Sequence, residues 1–188
     1  MKELLLLLNN IHPLSPGLHQ YLSEKLKTES VSKKDFLLMA GHISRRIYFI
    51  KKGLLRCYHI DNGQEVCSKF LKEGDIIVSA SSFFLQKESN EFIQAIENSV
   101  VWYICYDELQ HMYKHFPECN IIARILISKS WLLSKQRLNF MRMKQAPARY
   151  KNMLEFFPEL VLRVPAKYMA SYLNISVETL SRIRSRKY

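Results

Sequence analysis

Residues 47–63, which read IYFIKKGLLRCYHIDNG, contain the clearest indication of the fold. Lys52-Gly53 separates two runs that are rich in β-branched and aromatic side chains, the residue types that favour strands. The stretch ends on Asp61-Asn62-Gly63, a turn typical of a β-hairpin because these residues tolerate positive φ. It therefore predicts neighbouring strands and a tight hairpin.

Short runs of the same kind continue on both sides of this stretch. They are Phe36–Met39, Ile47–Ile50, Leu54–Ile60, Val66–Leu71, Ile76–Ser79, Phe92–Ile96 and Val100–Cys105. Several short strands at regular spacing favour a small antiparallel barrel or roll. We therefore expect an α+β chain whose N-terminal part is an antiparallel β-roll of the double-stranded, jelly-roll type.

Helices are predicted on both sides of this roll. Leu4–Leu8 reads as a short helix that packs on the body, and residues 18–27 have helical spacing. The 26 residues from Glu118 to Met143 contain no Gly or Pro, so one helix of roughly 35–40 Å is expected there. Leu160–Val164 is predicted as a short strand or an extended linker.

The long helix has an apolar stripe wide enough to cover both the roll and a second helix. A symmetric copy of the chain would bury this stripe, which makes a homodimer the expected assembly. The interface residues are then Ile121, Ile122, Ile125, Ser128 and Leu132. A helix buried wholly within its own chain is the alternative.

Charge is distributed unevenly along the chain. The formal net charge is +11, and residues 138–188 hold ten Lys or Arg against three Glu, a net charge of +7. A basic C-terminal segment indicates a polyanionic partner, with nucleic acid as the first candidate. A merely soluble surface is the other interpretation.

The cysteine and hydropathy patterns indicate in which cellular compartment the protein is located. Cys57, Cys67, Cys105 and Cys119 form no C-x-x-C pair, so we expect reduced, buried thiols and no iron–sulfur cluster. No run of about 18 apolar residues exists, and five leucines are too few for a signal peptide. A cytoplasmic protein with no membrane partner is expected.

The segment 165–184, PAKYMASYLNISVETLSRIR, predicts two short helices joined by a turn. Asn174 stands where the turn needs a left-handed residue, and Ser176 is a good N-cap for the second helix. Leu180 and Ile183 would face the first helix and leave a polar, basic face outward. This pattern is typical of a helix-turn-helix whose second helix enters the major groove. An ordinary helical hairpin with a solvated basic face is the alternative.

Taken together, the chain strongly resembles the Crp/Fnr family of bacterial regulators. Residues 176–183, SVETLSRI, are similar to that family's S-x-E-T-V-x-R-I recognition pattern. Residues 47–56 and 63–75 resemble its glycine-marked β-roll, the helix from Pro117 its dimerisation helix, and Arg149 the arginine that follows its hinge. The resemblance covers nearly the whole chain.

The resemblance implies a homodimeric transcription regulator that binds a roughly palindromic operator in double-stranded DNA and can also contact RNA polymerase. It implies a sensor domain in residues 1–116, a dimerisation helix and hinge in 117–143, and a DNA-binding domain in 144–188. The sequence stops at Tyr188, so we expect no β-hairpin wing after the second helix. A small-molecule-binding or protein-interaction module without DNA readout is the alternative function.

The resemblance also assigns roles to single residues. Glu178 and Arg182 would read base edges, while Ser176, Thr179 and Lys167 would contact phosphate. Val177 stands where the family has an outward arginine, so the base preference is expected to differ. The full set of expected DNA-contacting residues is Lys167, Ser176, Val177, Glu178, Thr179, Ser181, Arg182, Arg184 and Arg186.

The ligand cassette departs from the family. Cyclic-nucleotide-binding members carry G-E-L…R-S-A, and the Gly, Glu and Arg positions are Ser79, Ala80 and Ser89 here. The phosphate-binding guanidinium is therefore missing, and we expect no cyclic AMP binding in the family manner. The residues that could line a pocket for another small-molecule effector are Tyr58, Ser79, Ala80, Ser81, Ser82, Ser89 and Ser134. These serines could equally serve only the local backbone.

Enzyme chemistry finds no support in the sequence. No H-x-H pair occurs, as a metal-dependent cupin would need, and no catalytic triad, Walker loop or paired carboxylate is legible. His111 and His115 are four residues apart but lack a third metal ligand. We expect neither catalysis nor a bound metal or fixed cofactor; a haem sensor that uses one His stays open.

Overall fold

A computed structural model describes residues 2–185. The helices are α1 (Lys2–Ile11), α2 (Pro16–Lys25), α3 (Ala80–Leu85), α4 (Tyr106–His115), α5 (Pro117–Met141), α6 (Ala146–Phe156), α7 (Pro158–Arg163), α8 (Ala166–Leu173) and α9 (Val177–Ser185). The strands are β1 (Lys27–Val31), β2 (Phe36–Leu38), β3 (Arg46–Lys52), β4 (Leu55–Asp61), β5 (Gln64–Leu71), β6 (Ile76–Ile77), β7 (Phe92–Ala95) and β8 (Ser99–Cys105).

The strands form two antiparallel sheets, in the orders β1-β8-β3-β6 and β2-β7-β4-β5. Asn62 and Gly63 turn the chain between β4 and β5 with φ of 48° and 77°, as the hairpin prediction required. One apolar core contains side chains from both sheets, among them Tyr48, Ile50 and Leu55. The predicted fold class, an antiparallel roll with flanking helices and one long helix, is therefore confirmed.

Two further apolar clusters attach the helices to the roll. The first gathers α1, α2, α4 and the start of α5 around Phe49 and Trp102, whose rings stack 5.6 Å apart. The predicted N-terminal helix belongs to it, through Leu4 and Leu8. The second gathers α6 to α9 and includes Leu54 of the roll. Within residues 2–185, no helix is long and apolar enough to cross a bilayer.

The prediction for residues 160–164 was wrong. Pro158 ends α6 but also starts α7, which continues to Arg163. Proline is well placed at the first position of a helix, because the amide hydrogen that it lacks has no partner there in any case. Leu160 and Val161 then face the cluster of α6 to α9, where their burial stabilises the extra helical turn.

Gly53 joins β3 to β4 at a point where two backbones nearly touch. Its φ is +108°, and a Cβ built there would lie 2.7 Å from Ser99 Cα in β8. Gly41 also has a left-handed φ, +84°, but its Cβ would meet no atom within 4 Å. The two glycines therefore share backbone strain, and only Gly53 has a steric limit as well.

We expect Gly53→Ala to destabilise the protein more than Gly41→Ala. The left-handed conformation costs an L-residue about 1–2 kcal/mol at either site. Overpacking against the Ser99 backbone adds about 1–3 kcal/mol for Gly53→Ala alone. Urea denaturation of the two variants measures the difference in the free energy of unfolding. Equal losses would mean that the β3–β4 turn does not need glycine for space.

Candidate nucleic-acid interface

The C-terminal helix pair, defined as α8 and α9, is joined by the three residues 174–176. Asn174 has φ 51° and ψ 55°, the left-handed conformation predicted from the sequence. Its amide donates to Ser171 O, and the Ile175 amide donates to Ala170 O over 3.0 Å. These two bonds satisfy carbonyls at the end of α8 and fix the direction in which α9 begins.

The start of α9 is capped as the sequence predicted. Ser176 Oγ accepts from the Thr179 amide over 3.1 Å, which satisfies one of the free amides of the first turn. Glu178 lies in that turn, and hydrogen bonds from its own backbone amide and from Ser176 lower the pKa of its carboxyl group. Glu178 is therefore a carboxylate, which the positive end of the helix dipole stabilises.

One face of α9 is apolar and buried. Leu180 and Ile183 are almost fully buried against α8, where they meet Met169, Ala170 and Leu173. Because these residues recur at helical spacing, their packing fixes the rotation of α9 about its axis. The opposite face is thereby directed into solvent.

The solvent face of α9 carries most of the residues expected to contact DNA. Ser176, Val177, Glu178, Ser181 and Arg182 are exposed, Thr179 is half-buried, and Lys167 is exposed on α8. Arg184 is exposed too, but its guanidinium turns back, donating to Val161 O and lying 5.7 Å from the Tyr150 ring. The expected role of Arg184 is thus less direct. Arg186 lies outside the described residues.

Arg149 connects the helix pair to the hinge that follows the long helix. Its Nε donates to Leu173 O over 2.9 Å and its Nη2 to Asn174 O, while Nη1 donates to Met143 O over 2.6 Å. A cation at the C-terminal end of α8 also complements the helix dipole. Sequence analysis assigned Arg149 no role of its own, and the only signal was its place after the hinge.

Three serines of the expected effector pocket form hydrogen bonds within the chain. Ser79 and Ser89 are fully or nearly fully buried, and their hydroxyl oxygens lie 3.0 Å apart. Ser89 Oγ also accepts from the Glu91 amide, and Ser82 Oγ accepts from the Ser44 amide. These serines satisfy local groups, as the alternative interpretation proposed.

A carboxylate stands beside this serine pair. Ser79 Oγ donates to Glu91 Oε2 over 3.0 Å. By the resemblance, Ser89 occupies the position of the phosphate-binding arginine, so this part of the roll presents a serine hydroxyl with a neighbouring glutamate in place of a guanidinium.

The other expected pocket residues are dispersed. Tyr58 is buried, with its ring stacked 4.8 Å from Phe92. Ala80 and Ser81 are exposed on α3. Ser134 is exposed on α5, and its hydroxyl donates to Ser130 O one turn earlier in the same helix. The structure gives Ser134 no contact with the serines of the roll.

The long helix α5 divides into two halves. Cys119 and Ile122 are buried in the cluster around Phe49, so Ile122 is already covered by its own chain, and its expected place in a dimer interface stays a prediction. Ile121 and Ile125 are half-buried, and Ser128 and Leu132 are exposed. Further along, α5 has an exposed apolar strip that runs along the helix axis and covers more than one of its faces, made of Ile127, Trp131, Leu132, Leu133 and Leu138.

No metal centre is formed by the described residues, among which no three His, Cys, Asp or Glu side chains cluster. The rings of His111 and His115 stack 3.9 Å apart. The cysteines are free thiols, and Cys105 is half-exposed, contrary to the expectation that all four are buried. Burial raises the pKa of the Cys57 and Cys119 thiols to about 12, so both stay protonated.

Comparison with known proteins agrees with this geometry. Residues 28–116 match the family described as the cyclic nucleotide-binding domain. The chain is 23% identical over 175 residues to the anaerobic regulatory protein of Haemophilus influenzae, covering 85% of this chain and 66% of that protein. The matched residues span the β-roll, which is thus similar to domains of the cyclic nucleotide-binding type.

Most of the chain is similar in fold to several solved regulator structures. FixK2 from Bradyrhizobium japonicum superposes with a TM-score of 0.71 at 16% identity, covering 86% of this chain and 83% of that one. The c-di-GMP-responsive regulator CLP of Xanthomonas campestris gives 0.73 at 14% identity, covering 92% and 91%. A transcriptional-regulator structure from Eubacterium rectale, described as of the crp/fnr family, gives 0.69 at 20% identity, covering 90% and 82%. The resemblance to Crp/Fnr regulators is thus confirmed at the level of the fold.

Proposed function

We propose that the protein is a homodimeric, sequence-specific DNA-binding transcription regulator of Crp/Fnr type. The observation that carries the proposal is the division of α9, whose apolar face is buried on α8 while Glu178 and Arg182 project into solvent. A helix held in this way, with a charged face free, fits the major groove of DNA. The helix pair is then a helix-turn-helix, with α9 as its recognition helix.

The two charged side chains have complementary uses in the groove. Arg182 can bind guanine O6 and N7 with its guanidinium fork, and Glu178 can accept from cytosine N4. Lys167 lies at the start of α8, and Ser176 and Thr179 lie at the start of α9, where they would contact phosphate. Phosphate contacts supply affinity that depends on salt, whereas base contacts supply sequence preference.

The exposed half of α5 supports the dimer. Trp131 and Leu132 are 62% and 57% exposed. Large apolar side chains that lie together on a protein surface normally mark a site of contact with another molecule. A second copy of α5 would cover the strip by the isologous packing that twofold symmetry provides. The dimer would then present two copies of α9 to successive turns of one DNA face.

We further propose that the β-roll acts as a sensor domain, residues 1–116, that does not respond to cyclic AMP. Ser79 and Ser89 already bond each other, and the Glu91 carboxylate lies beside them. The regulator would act in the cytoplasm, without catalysis, and with RNA polymerase as a further partner. An effector of other chemistry could still shift the hinge at residues 142–145.

Replacing an exposed apolar residue of α5 should break the dimer. Leu132→Glu would bury a carboxylate from each copy in an apolar interface, so we expect a dissociation constant about a hundredfold higher or more. Leu162→Glu is the matched control, because Leu162 is 87% exposed on α7, away from the strip. Sedimentation velocity measures both. A wild-type monomer, or an unchanged Leu132→Glu dimer, would refute the assembly.

Arg182→Ala should lower both affinity and specificity. An operator is first selected from random duplex DNA with the wild-type protein, and binding is followed by fluorescence anisotropy. We expect Arg182→Ala to cost about 1–3 kcal/mol on that operator and to relax the preferred base at one position in each half-site.

Lys167→Ala is the comparison variant, since it should weaken all sequences alike and reduce the log–log salt slope by about 0.9. If Arg182→Ala also weakened every sequence equally, Arg182 would contact only phosphate. If the selection enriched no sequence, the protein would not be a specific DNA binder.

Cyclic AMP should not bind with micromolar affinity. Isothermal titration calorimetry on the purified protein is expected to give no binding heat in that range, because the roll offers Ser89 and Glu91 instead of a guanidinium. A cyclic-AMP-binding protein with an intact cassette serves as the positive control. A micromolar binding isotherm for this chain would show that the roll holds cyclic nucleotides in another way.

A further inference from the structure

The C-terminal helix pair also contacts the β-roll of its own chain, through a surface other than the solvent face of α9 that is proposed to bind DNA. Its first helix, α8, lies against β5, the outermost strand of the sheet β2-β7-β4-β5. An outermost strand has backbone groups that no neighbouring strand pairs. The helix pair therefore covers an edge of the roll of its own chain.

A buried cation lies at the centre of this contact. Arg56 of β4 is only 1% exposed, and its guanidinium carbon lies 4.0 Å from the centre of the Tyr58 ring and 3.7 Å from that of the Tyr168 ring. Tyr58 belongs to the roll and Tyr168 to α8. In its own plane the guanidinium donates to Glu65 over 2.7 Å and to Gln94 over 2.6 Å and 2.9 Å.

The surroundings of Arg56 are complete only with α8 in place. A buried cation is stable when hydrogen bonds and aromatic faces replace its water. The roll provides the in-plane oxygen acceptors and one aromatic ring, while the helix pair provides a second ring. Removing the Tyr168 ring would therefore take away the nearer of the two aromatic partners of the guanidinium.

A serine of α8 completes the pairing of β5. The Cys67 amide donates to Ser171 Oγ over 2.9 Å, and Ser171 Oγ donates to Glu65 O over 2.7 Å. One hydroxyl thus satisfies a donor and an acceptor of the strand edge. The long helix joins at the same place, because Arg137 of α5 donates to Cys67 O and lies 4.6 Å from the Tyr172 ring.

A second ionic contact holds the other end of the helix cluster. Arg163 of α7 donates to Glu73 over 2.8 Å and 2.9 Å, and to Glu97 over 2.7 Å and 3.1 Å. These hydrogen bonds lower the pKa of the Glu73 carboxyl to about 2, so it is ionised at neutral pH. Glu73 also accepts from the Gly53 amide, which ties Arg163 to the turn between β3 and β4.

We propose that these contacts form a latch that positions the helix pair on the roll and thereby sets the spacing of the two recognition helices in the dimer. The latch consists of Arg56, Tyr168, Ser171 and the Arg163–Glu73–Glu97 cluster. It uses α7 and α8 and leaves the solvent face of α9 free, so it orients the recognition helix and does not block it. This inference rests on the proposed function, because spacing matters only if the dimer reads two half-sites.

The test combines one variant with two measurements. Tyr168→Leu removes the aromatic face over Arg56 but keeps a good helix former in α8. Binding is measured on the selected operator and on operators whose centre is one base pair longer or shorter. We expect the wild type to prefer the selected spacing at least about tenfold, and the variant to prefer it about threefold or less.

Met153→Ala is the matched control. Met153 is buried among α6 to α9 and makes none of the hydrogen bonds or ring contacts of the latch, so this variant loosens the cluster without opening the contact with β5. It should weaken binding on every operator to a similar extent and keep the spacing ratio. If Tyr168→Leu cannot be purified folded, Arg163→Gln replaces it.

The second measurement needs no DNA. Amide hydrogen exchange at Cys67, followed by NMR, reports the bond to Ser171 directly, although Ser171 is unchanged in Tyr168→Leu. We expect exchange to be faster by about tenfold or more in this variant, because the latch opens as a unit. Unchanged exchange, or faster exchange with an unchanged spacing ratio, would overturn the proposal.

The two measurements also separate the latch from the proposed function. If no operator could be selected, DNA reading would fail and the positioning role with it. Accelerated Cys67 exchange would then still show that the contact exists in solution. If the Cys67 amide of Tyr168→Leu exchanged as slowly as in the wild type while an operator was still selected and bound, only the latch would be overturned.

Discussion

A buried guanidinium is costly, and the Arg56 side chain meets that constraint with partners from four parts of the chain. Its in-plane donors reach Glu65 on β5 and Gln94 on β7, and its faces are covered by Tyr58 on β4 and Tyr168 on α8. Losing one partner of a buried ion costs more than the contact itself contributes, because the charge then lacks compensation. The partners of the Arg56 side chain therefore connect the roll to the helix cluster.

Packing on the buried side of α9 determines which of its side chains are free to contact a partner. Leu180 and Ile183 fix its rotation, Asn174 fixes its starting direction, and Arg149 bonds the turn to the hinge. Rigid support of this kind favours recognition of a shaped surface such as a DNA groove, since little conformational freedom is lost on binding. The same helix is thus structural on one face and free on the other.

Polar side chains in the interior of the roll are paired with one another. Ser79, Ser89 and Glu91 bond one another where the resemblance would place a ligand's polar contacts. Polar groups that are already satisfied gain little from a ligand, because each new bond replaces an existing one. These hydrogen bonds hold this part of the roll together without a ligand.

Local pattern determined a large part of this structure. The hairpin at Asn62-Gly63, the span of α5, the left-handed Asn174 and the Ser176 cap all depend on residues within a few positions of each other, so the sequence alone predicts them. β1 was missed because KTESV has no apolar alternation; it becomes a strand only because β8 supplies its partner. The helical state of residues 160–163 likewise depends on the burial of Leu160 and Val161 against α6 to α9, which comes in addition to the favourable place of Pro158.

Only the tertiary structure decided which surfaces were already occupied. Ile122 and Leu132 lie on the same predicted apolar stripe, yet the first is buried by its own chain and the second is exposed. Ser171 and Glu65 are 106 residues apart, and no local pattern links them. Sequence periodicity reports which face of an element is apolar or polar, but the partner of that face depends on distant residues that only folding brings together.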